Sequence, residues 1–256
     1  MMQILSEDTK FAHLGKPGTA FSKGFARRLE IMSKLVDFKS KLILDLGCGE
    51  GVWLPQFAKF TQPENVFGCD IDQESVDLAK KLLAPIPAKN LVVSPTEHLP
   101  YADGFFDIVF ANEVMEHVTD DLETAREVYR IIKSGGQFVI FSPNRGWPFE
   151  THGMFIGKKY YWGNIFLLPW LPKFISKKFA PHVRNYSNSD IEKILLSAGF
   201  SLTYHRHVFP GFDGLVRKYG KFGKFVRSLI LSLESTPLEY FGISHLIIAQ
   251  KPITQK

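Results

Sequence analysis

Five short apolar runs lie between residues 41 and 141, and the segments joining them are longer, polar or spaced as helices. The runs are Lys41–Leu46, Val66–Asp70, Leu91–Val93, Phe106–Ala111 and Gln137–Phe141. Residues 52–60 and Gln73–Leu83 suit helices, the second closed by Pro85 and Pro87. Residues 120–133 set Leu122, Ala125, Val128, Tyr129 and Ile132 on one side and end at Gly135-Gly136. Strand and helix in alternation predict an α/β fold, a doubly wound and mostly parallel sheet. Ahead of it, Phe21, Phe25, Leu29, Met32 and Leu35–Val36 recur at helical spacing. After Pro143 the rhythm stops, and residues 147–180 show no clean period. It resumes with a helix that Ser187 or Asn188 can cap and Gly199 can end. Ser201–Phe209 and His245–Ala249 then bring the strands to seven.

A chain of 256 residues, 45% hydrophobic and 22% charged, suits one domain over residues 1–256 with two insertions, at 147–186 and 211–240. The two cysteines, Cys48 and Cys69, are too few for a disulfide framework and wrongly spaced for a zinc knuckle. A reducing, cytoplasmic compartment is expected. The start, MMQILSEDTK, is not patterned as a secretory signal. The longest apolar stretch, near Ile165–Leu171, is broken by Pro169 and is too short to span a bilayer. Net charge is +5, unevenly placed. Residues 151–189 hold six Lys and Arg and no Asp or Glu, while Arg217, Lys218, Lys221, Lys224 and Arg227 face only Asp213 across 212–233. An otherwise acidic body thus carries two basic segments, which bears on partners and not on fold.

The first strand runs into Leu44-Asp-Leu-Gly-Cys-Gly-Glu-Gly51 and then a helix. Glycines there let the backbone approach a ligand at the strand's carboxyl end, where open α/β sheets bind. The dinucleotide spacing G-x-G-x-x-G fails, because its third position is Val52 from Gly47 and Leu54 from Gly49. The Lys-Ser/Thr ending of a phosphate loop is absent as well. Asp45 would repel a pyrophosphate but suits a cationic ligand bearing an amino group. About twenty residues on, Asp70 ends the second strand, placed to accept hydrogen bonds from ribose hydroxyls. Asp72 is the better cap for the next helix. An adenosine with a positive, amine-bearing tail fits both carboxylates.

These residues resemble the class I S-adenosylmethionine-dependent methyltransferases, a Rossmann-like family. LDLGCGEG is similar to their first motif and GCDID, with Asp70 and Ile71, to their second. Ser94-Pro-Thr-Glu-His98 resembles the segment lining the adenine, with Pro95 where the family usually has Asp. Asn112-Glu-Val-Met-Glu-His117 resembles the fourth motif, and Ile132–Asn144 the turn and fifth strand. His182–Ser187 with Ser197–Phe200 resembles a branch that includes quinone and glycan O-methyltransferases. The resemblance assigns S-adenosylmethionine to Asp45, Gly47, Cys48, Gly49, Asp70, Ile71, Thr96, Glu97 and Asn112. It implies O-methylation of a small or lipid-linked acceptor. The intact Asp45, Gly47, Gly49 and Asp70 set favours transfer over a fold that only binds.

Methyl transfer from a sulfonium mainly needs alignment, and a base helps when the acceptor is a hydroxyl. His117, His152 and His182 are candidates, with His117 first because it follows the fourth strand. Glu113, Glu116 and His117 also stand at i, i+3 and i+4, one face of a helical turn, and such a set suits a divalent ion. Some relatives resembling this pattern use a metal to activate the acceptor oxygen. The aromatic and basic insertions suit a lid over the acceptor, or contact with an anionic membrane face. Interleaved bases and aromatics would also serve an RNA acceptor, but no nucleic-acid module is visible.

Overall fold

The computed structural model describes residues 23–253. Helix α1 spans Lys23–Ser33, and Phe21, expected to lead it, lies outside the described residues. Strand β1 is Ile43–Leu46, and a four-residue helix, α2, is Leu54–Phe57. Then follow β2 (Val66–Asp70), α3 (Gln73–Leu82), β3 (Leu91–Val93) and β4 (Phe106–Asn112). Helix α4 (Asp121–Ile131) leads into β5 (Ile132–Pro143). Four short strands come next: β6 (Phe149–Glu150), β7 (Met154–Ile156), β8 (Lys159–Tyr161) and β9 (Ile165–Phe166). The chain closes with α5 (Lys173–Phe179), α6 (Asn188–Ser197), β10 (Ser201–Val208), α7 (Asp213–Ser232) and β11 (Ser244–Gln250).

The main sheet has seven strands in the order β10-β11-β5-β4-β1-β2-β3. β1 through β5 pair in parallel, while β11 runs antiparallel to both β5 and β10. This is the doubly wound, mostly parallel sheet expected. Strands buried on both faces should read as unbroken apolar runs, and all four residues of β1 are buried. Leu44 and Leu46 pack on the side of α4 and α6, with Ala125, Val128, Ile191 and Leu195. Ile43 packs on the other side, with Met32, Leu54, Phe57, Val76 and Ala79 from α1, α2 and α3. Strand order reverses between β1 and β4, which opens a crevice at their carboxyl ends.

β5 is longer than its apolar centre. Gly135, expected at a helix end, instead donates to Lys251 O at 2.9 Å, and Lys251 donates back to Gly136 O at 3.0 Å. Backbone pairing past β11 thus carries the strand through both glycines. Residues 147–180 lacked a period because their strands are two or three residues long. β6 pairs with β9, and β7 with β8, in two separate ribbons. The basic segment 214–233 is α7, which Gly220 interrupts with φ 53° and ψ −122°.

Helix α6 starts at the Ser187 cap, whose side chain accepts from Asp190 N, while Asp190 returns a bond to Ser187 N. Lys173 of α5 donates to Asp190 Oδ1 at 2.7 Å. Burial pushes the Asp190 carboxyl up, but Lys173 and Ser187 outweigh it and hold it at about 2. Its stabilising effect is therefore complete above about pH 4, the ordinary carboxylate range, and is lost as pH falls toward the native value. In urea denaturation at pH 7, Ser187→Ala should cost about 1 kcal/mol. Asp190→Asn should also destabilise at pH 7, with the deficit fading on acidification toward the native Asp190 value.

Candidate functional site

The loop after β1 is held by β2. Gly47 N and Cys48 N both donate to Cys69 O, at 2.7 and 2.9 Å. Asp70, at the end of β2, accepts from Gly49 N at 2.7 Å on one oxygen and from Asp72 N at 2.9 Å on the other. Asp72 in turn caps α3, accepting from Ser75 N, as its position suggested. Asp70 is thus a clamp between the end of β2 and the glycine loop, and each of its oxygens keeps acceptor capacity beyond these bonds. Gly47, Gly49 and Gly51 all have left-handed φ, at 69°, 52° and 81°. A Cβ on Gly47 would fall 2.5 Å from Val114 Cγ2, whereas one on Gly49 would meet nothing within 4 Å. Gly47 is needed for packing under the loop, and Gly49 fronts open space.

Asp45 is buried beneath this loop, and its Oδ2 has no hydrogen-bond partner among the described residues. Burial, and then the nearby Asp70 charge, push its carboxyl well above the usual carboxylate range. A cation brought beside such a group would favour its charged form. Cys48 turns its thiol into the core, against the space a Cβ on Gly68 would need. Burial raises the thiols of both cysteines, Cys69 to about 12, so neither is an activated nucleophile.

Along the crevice, Ile71 is half exposed beside Asp70. Ser94 N donates to Asp70 O at 3.0 Å, which joins the 94–98 segment to the clamp. Thr96 Oγ1 meets Thr124 Oγ1 at 2.9 Å. Glu97 Oε1 accepts from Thr119 N and Asp120 N, at 3.0 and 3.2 Å, and so steadies the entry to α4. Asn112, at the tip of β4, accepts from Arg28 Nη1 at 2.5 Å.

Arg28 also donates to Glu113 Oε1 and Ser244 Oγ, both at 2.7 Å, and its guanidinium lies 4.8 Å from the Phe141 ring centre. Burial raises the Glu113 carboxyl, but Arg28 outweighs it and holds it at about 2. This corrects the expected Glu113/Glu116/His117 ligand face. Residues 113–117 form no helix, because Glu113 has a left-handed φ of 56°. Glu113 turns to Arg28, while Glu116 and His117 sit on a tight turn closed by His117 N to Val114 O at 2.9 Å. Their third companion is His152, after β6. Glu116, His117 and His152 each bring one ligand atom within 4.8 Å of the others.

Both histidines of that trio are oriented. His117 Nδ1 lies 3.1 Å from His182 O, so it carries the proton and leaves Nε2 basic. His152 Nδ1 lies 2.9 Å from Glu150 Oε1. Glu150 is buried and also accepts from Asn185 Nδ2. Burial, with a push from His152, lowers His117 to about 4. Burial also lowers His152, but its bond to Glu150 outweighs that and leaves it above its ordinary value. Glu116 is raised well above the carboxylate range by burial and then by the Glu113 carboxylate beside it.

Arg28 and Glu150 are the residues sequence reasoning missed. Arg28 carries no local signal, since only the fold brings α1 over β4. Glu150 had a faint one, as the last acid before the acid-free run of 151–189.

A family model described as a methyltransferase domain matches residues 44–140. A demethylmenaquinone methyltransferase from Symbiobacterium thermophilum is 28% identical over 186 residues, covering 66% of this chain and 72% of the relative. An uncharacterized 37.1 kDa protein of a Streptomyces fradiae transposon is 34% identical over 102 residues, and the match spans 40% of this chain and only 30% of that relative. The crystal structure of an S-adenosylmethionine-dependent methyltransferase from Mesorhizobium loti superposes with a TM-score of 0.58 at 17% identity, covering 88% of this chain and 97% of the other, which shows the fold. The family model covers residues 44–140, under half of the chain, and the fold is that of the S-adenosylmethionine-dependent methyltransferases. In a methyltransferase the buried, unpartnered Asp45 and the open space over Gly49 fit a cofactor carrying an ammonium and a sulfonium.

The two loop glycines should separate in thermal unfolding. Gly47→Ala combines a left-handed φ with overlap on Val114, and should cost about 2–4 kcal/mol. Gly49→Ala should cost only the backbone term, about 1–2 kcal/mol.

Proposed function

We propose that this methyltransferase moves the methyl group of S-adenosylmethionine to a hydroxyl of a small or lipid-linked acceptor, quinol-like in its chemistry. The convergence of His117, His152 and Glu116 just past Asn112 carries this reading. In it, Asp45 faces the cofactor's ammonium and Asp70 receives the ribose hydroxyls. Gly47, Gly49 and the Cys48 backbone let the cofactor approach, while Ile71, Thr96 and Glu97 border the adenine. Asn112 and Arg28 floor the methionine end.

The acceptor hydroxyl lies against His117. As its oxygen forms a bond to the methyl carbon, the carbon–sulfur bond breaks and its electron pair stays on sulfur. The hydroxyl proton goes to His117 Nε2, which is neutral near pH 7 because burial holds its value low. Glu150 fixes His152 next to it, with ring centres 5.2 Å apart. The same three donors also fit a divalent ion, which would lower the acceptor hydroxyl's pKa; the buried Glu116 carboxyl beside two imidazoles supports that second reading.

A bilayer-borne acceptor is supported by what the insertions expose. Phe174 of α5 is 78% exposed, and Phe222 and Phe225 of α7 are each 66% exposed among Lys and Arg. Such surfaces suit an anionic lipid face. No helix among the described residues is long and apolar enough to cross a membrane.

With demethylmenaquinol as probe and methyl-labelled cofactor, His117→Ala should lower kcat about 10²–10⁴-fold while cofactor KM stays put. Unchanged kcat would remove His117 as the base. Chelator treatment that abolishes turnover, with recovery on adding a divalent ion, would select the metal reading. Sedimentation with phosphatidylglycerol vesicles at low salt should pull the protein down, and Phe222→Asp with Phe225→Asp should release it. No sedimentation of the wild type would end the membrane claim.

A further inference from the structure

Three imidazoles meet at the edge of the sheet, apart from the site above. His205 and His207 are two residues apart on β10, and His245 stands directly opposite His207 on β11. All three therefore share one face. Their ring centres are 4.9 to 5.6 Å apart.

The outward nitrogen of each ring is already committed. His205 Nδ1 lies 2.7 Å from Glu192 Oε1, His245 Nε2 lies 2.9 Å from Tyr186 O, and His207 Nε2 lies 2.9 Å from Asn188 Oδ1. All three partners are oxygen acceptors, so each outward nitrogen carries its ring's proton. A neutral imidazole has one N–H only. The inward nitrogens, His205 Nε2, His207 Nδ1 and His245 Nδ1, are then three lone pairs. One ligand atom from each ring lies within 4.8 Å of the others. Two of them, His205 Nε2 and His245 Nδ1, stand 2.9 Å apart. His207 Nδ1 is buried, with no hydrogen-bond partner among the described residues.

Converging lone pairs at such distances repel unless a positive charge sits among them. A proton shared between His205 Nε2 and His245 Nδ1 would answer that pair alone and leave the buried His207 Nδ1 without a partner. A metal ion needs no such protonation. Three imidazoles around a zinc ion would sit roughly 3.3 Å apart, given metal–nitrogen distances near 2.0–2.1 Å. The observed spacing reaches that by shifts of a few tenths of an ångström for the closest pair.

We propose that His205, His207 and His245 bind a divalent cation of the zinc class, leaving a fourth position to water. Three neutral nitrogens without a carboxylate select zinc, copper, nickel or iron over magnesium and calcium. Glu192, Tyr186 O and Asn188 act as the outer partners that aim the rings, as carboxylates and carbonyls do around histidine-bound metals. Ser142 lies opposite His245 on β5, and its hydroxyl is buried without a partner. It is the polar group nearest in register for a metal-bound water to meet. The ion ties β10 and β11 to α6 and to the end of the 147–186 segment. This inference does not depend on the acceptor chemistry proposed above.

The test is stoichiometric. The full chain, stripped with a chelator, is titrated with Zn²⁺ against a chromophoric competitor, and with Co²⁺ by absorption. One zinc per chain should bind, and should persist in Glu116→Gln, which disables the other trio. His207→Gln should weaken it at least about 100-fold, and Glu192→Gln about 10–100-fold. Melting curves of the metal-free variants check that each is folded. Glu192 sits at the surface of α6, so its variant keeps the test decisive should His207→Gln not fold. Absence of stoichiometric zinc in the wild type would overturn the site. So would zinc that vanishes in Glu116→Gln, or affinity unchanged in Glu192→Gln.

Discussion

The Asp70 carboxylate joins the end of β2 to the glycine loop after β1, beside the crevice. One oxygen takes the Gly49 amide and the other takes the Asp72 amide, so a single side chain holds the glycine loop and the start of α3 in register. A hydrogen bond to an ionised group is worth more than a neutral one. This clamp must keep its charge although burial raises its pKa, and the two backbone donors oppose that rise. Without it the loop would lose its anchor on β2, and Gly49 would no longer be held facing open space. The rest of the site is arranged from that point. β4 carries the chain to Asn112, Arg28 fastens that tip to α1, and the next turn delivers Glu116 and His117.

The 113–117 turn shows how local conformation decides chemistry. A helical reading would have placed Glu113, Glu116 and His117 on one face. The left-handed backbone at Glu113 sends that carboxylate to Arg28 instead, where it is ionised. Glu116 is left buried, with its carboxyl pushed up by burial and by the Glu113 charge. His152 fills the vacated place from 35 residues away, held by Glu150. One strained residue thus divides two carboxylates into a structural anion and a site acid.

Much of this fold could be read from residue order. Val66–Asp70 and Leu91–Val93 were bounded to the residue because buried parallel strands are apolar throughout and end abruptly at turn residues. The Asp72 and Ser187 caps were legible because capping is local chemistry. The Asp45–Gly51 loop and Asp70 were legible as a spacing. Arg28 was not, because it acts on Asn112 and Glu113 from far away in sequence, and Glu150 was not, because the His152 it holds meets His117 only through the fold. The ribbons at 149–166 were not, because two- and three-residue strands have no period to detect. The three histidines on β10 and β11 gave no signal until β11 was inserted between β5 and β10.

Asp45 lies buried under the loop with its carboxyl pushed up by burial, and it is the group that the proposed cofactor's ammonium would meet. Calorimetry of the wild type with S-adenosylmethionine, in buffers of different ionisation enthalpy at neutral pH, tests this directly. One molecule should bind, with a proton released as Asp45 ionises against the ammonium, and Asp45→Asn should abolish that release. No binding, or the same proton release from Asp45→Asn, would contradict it.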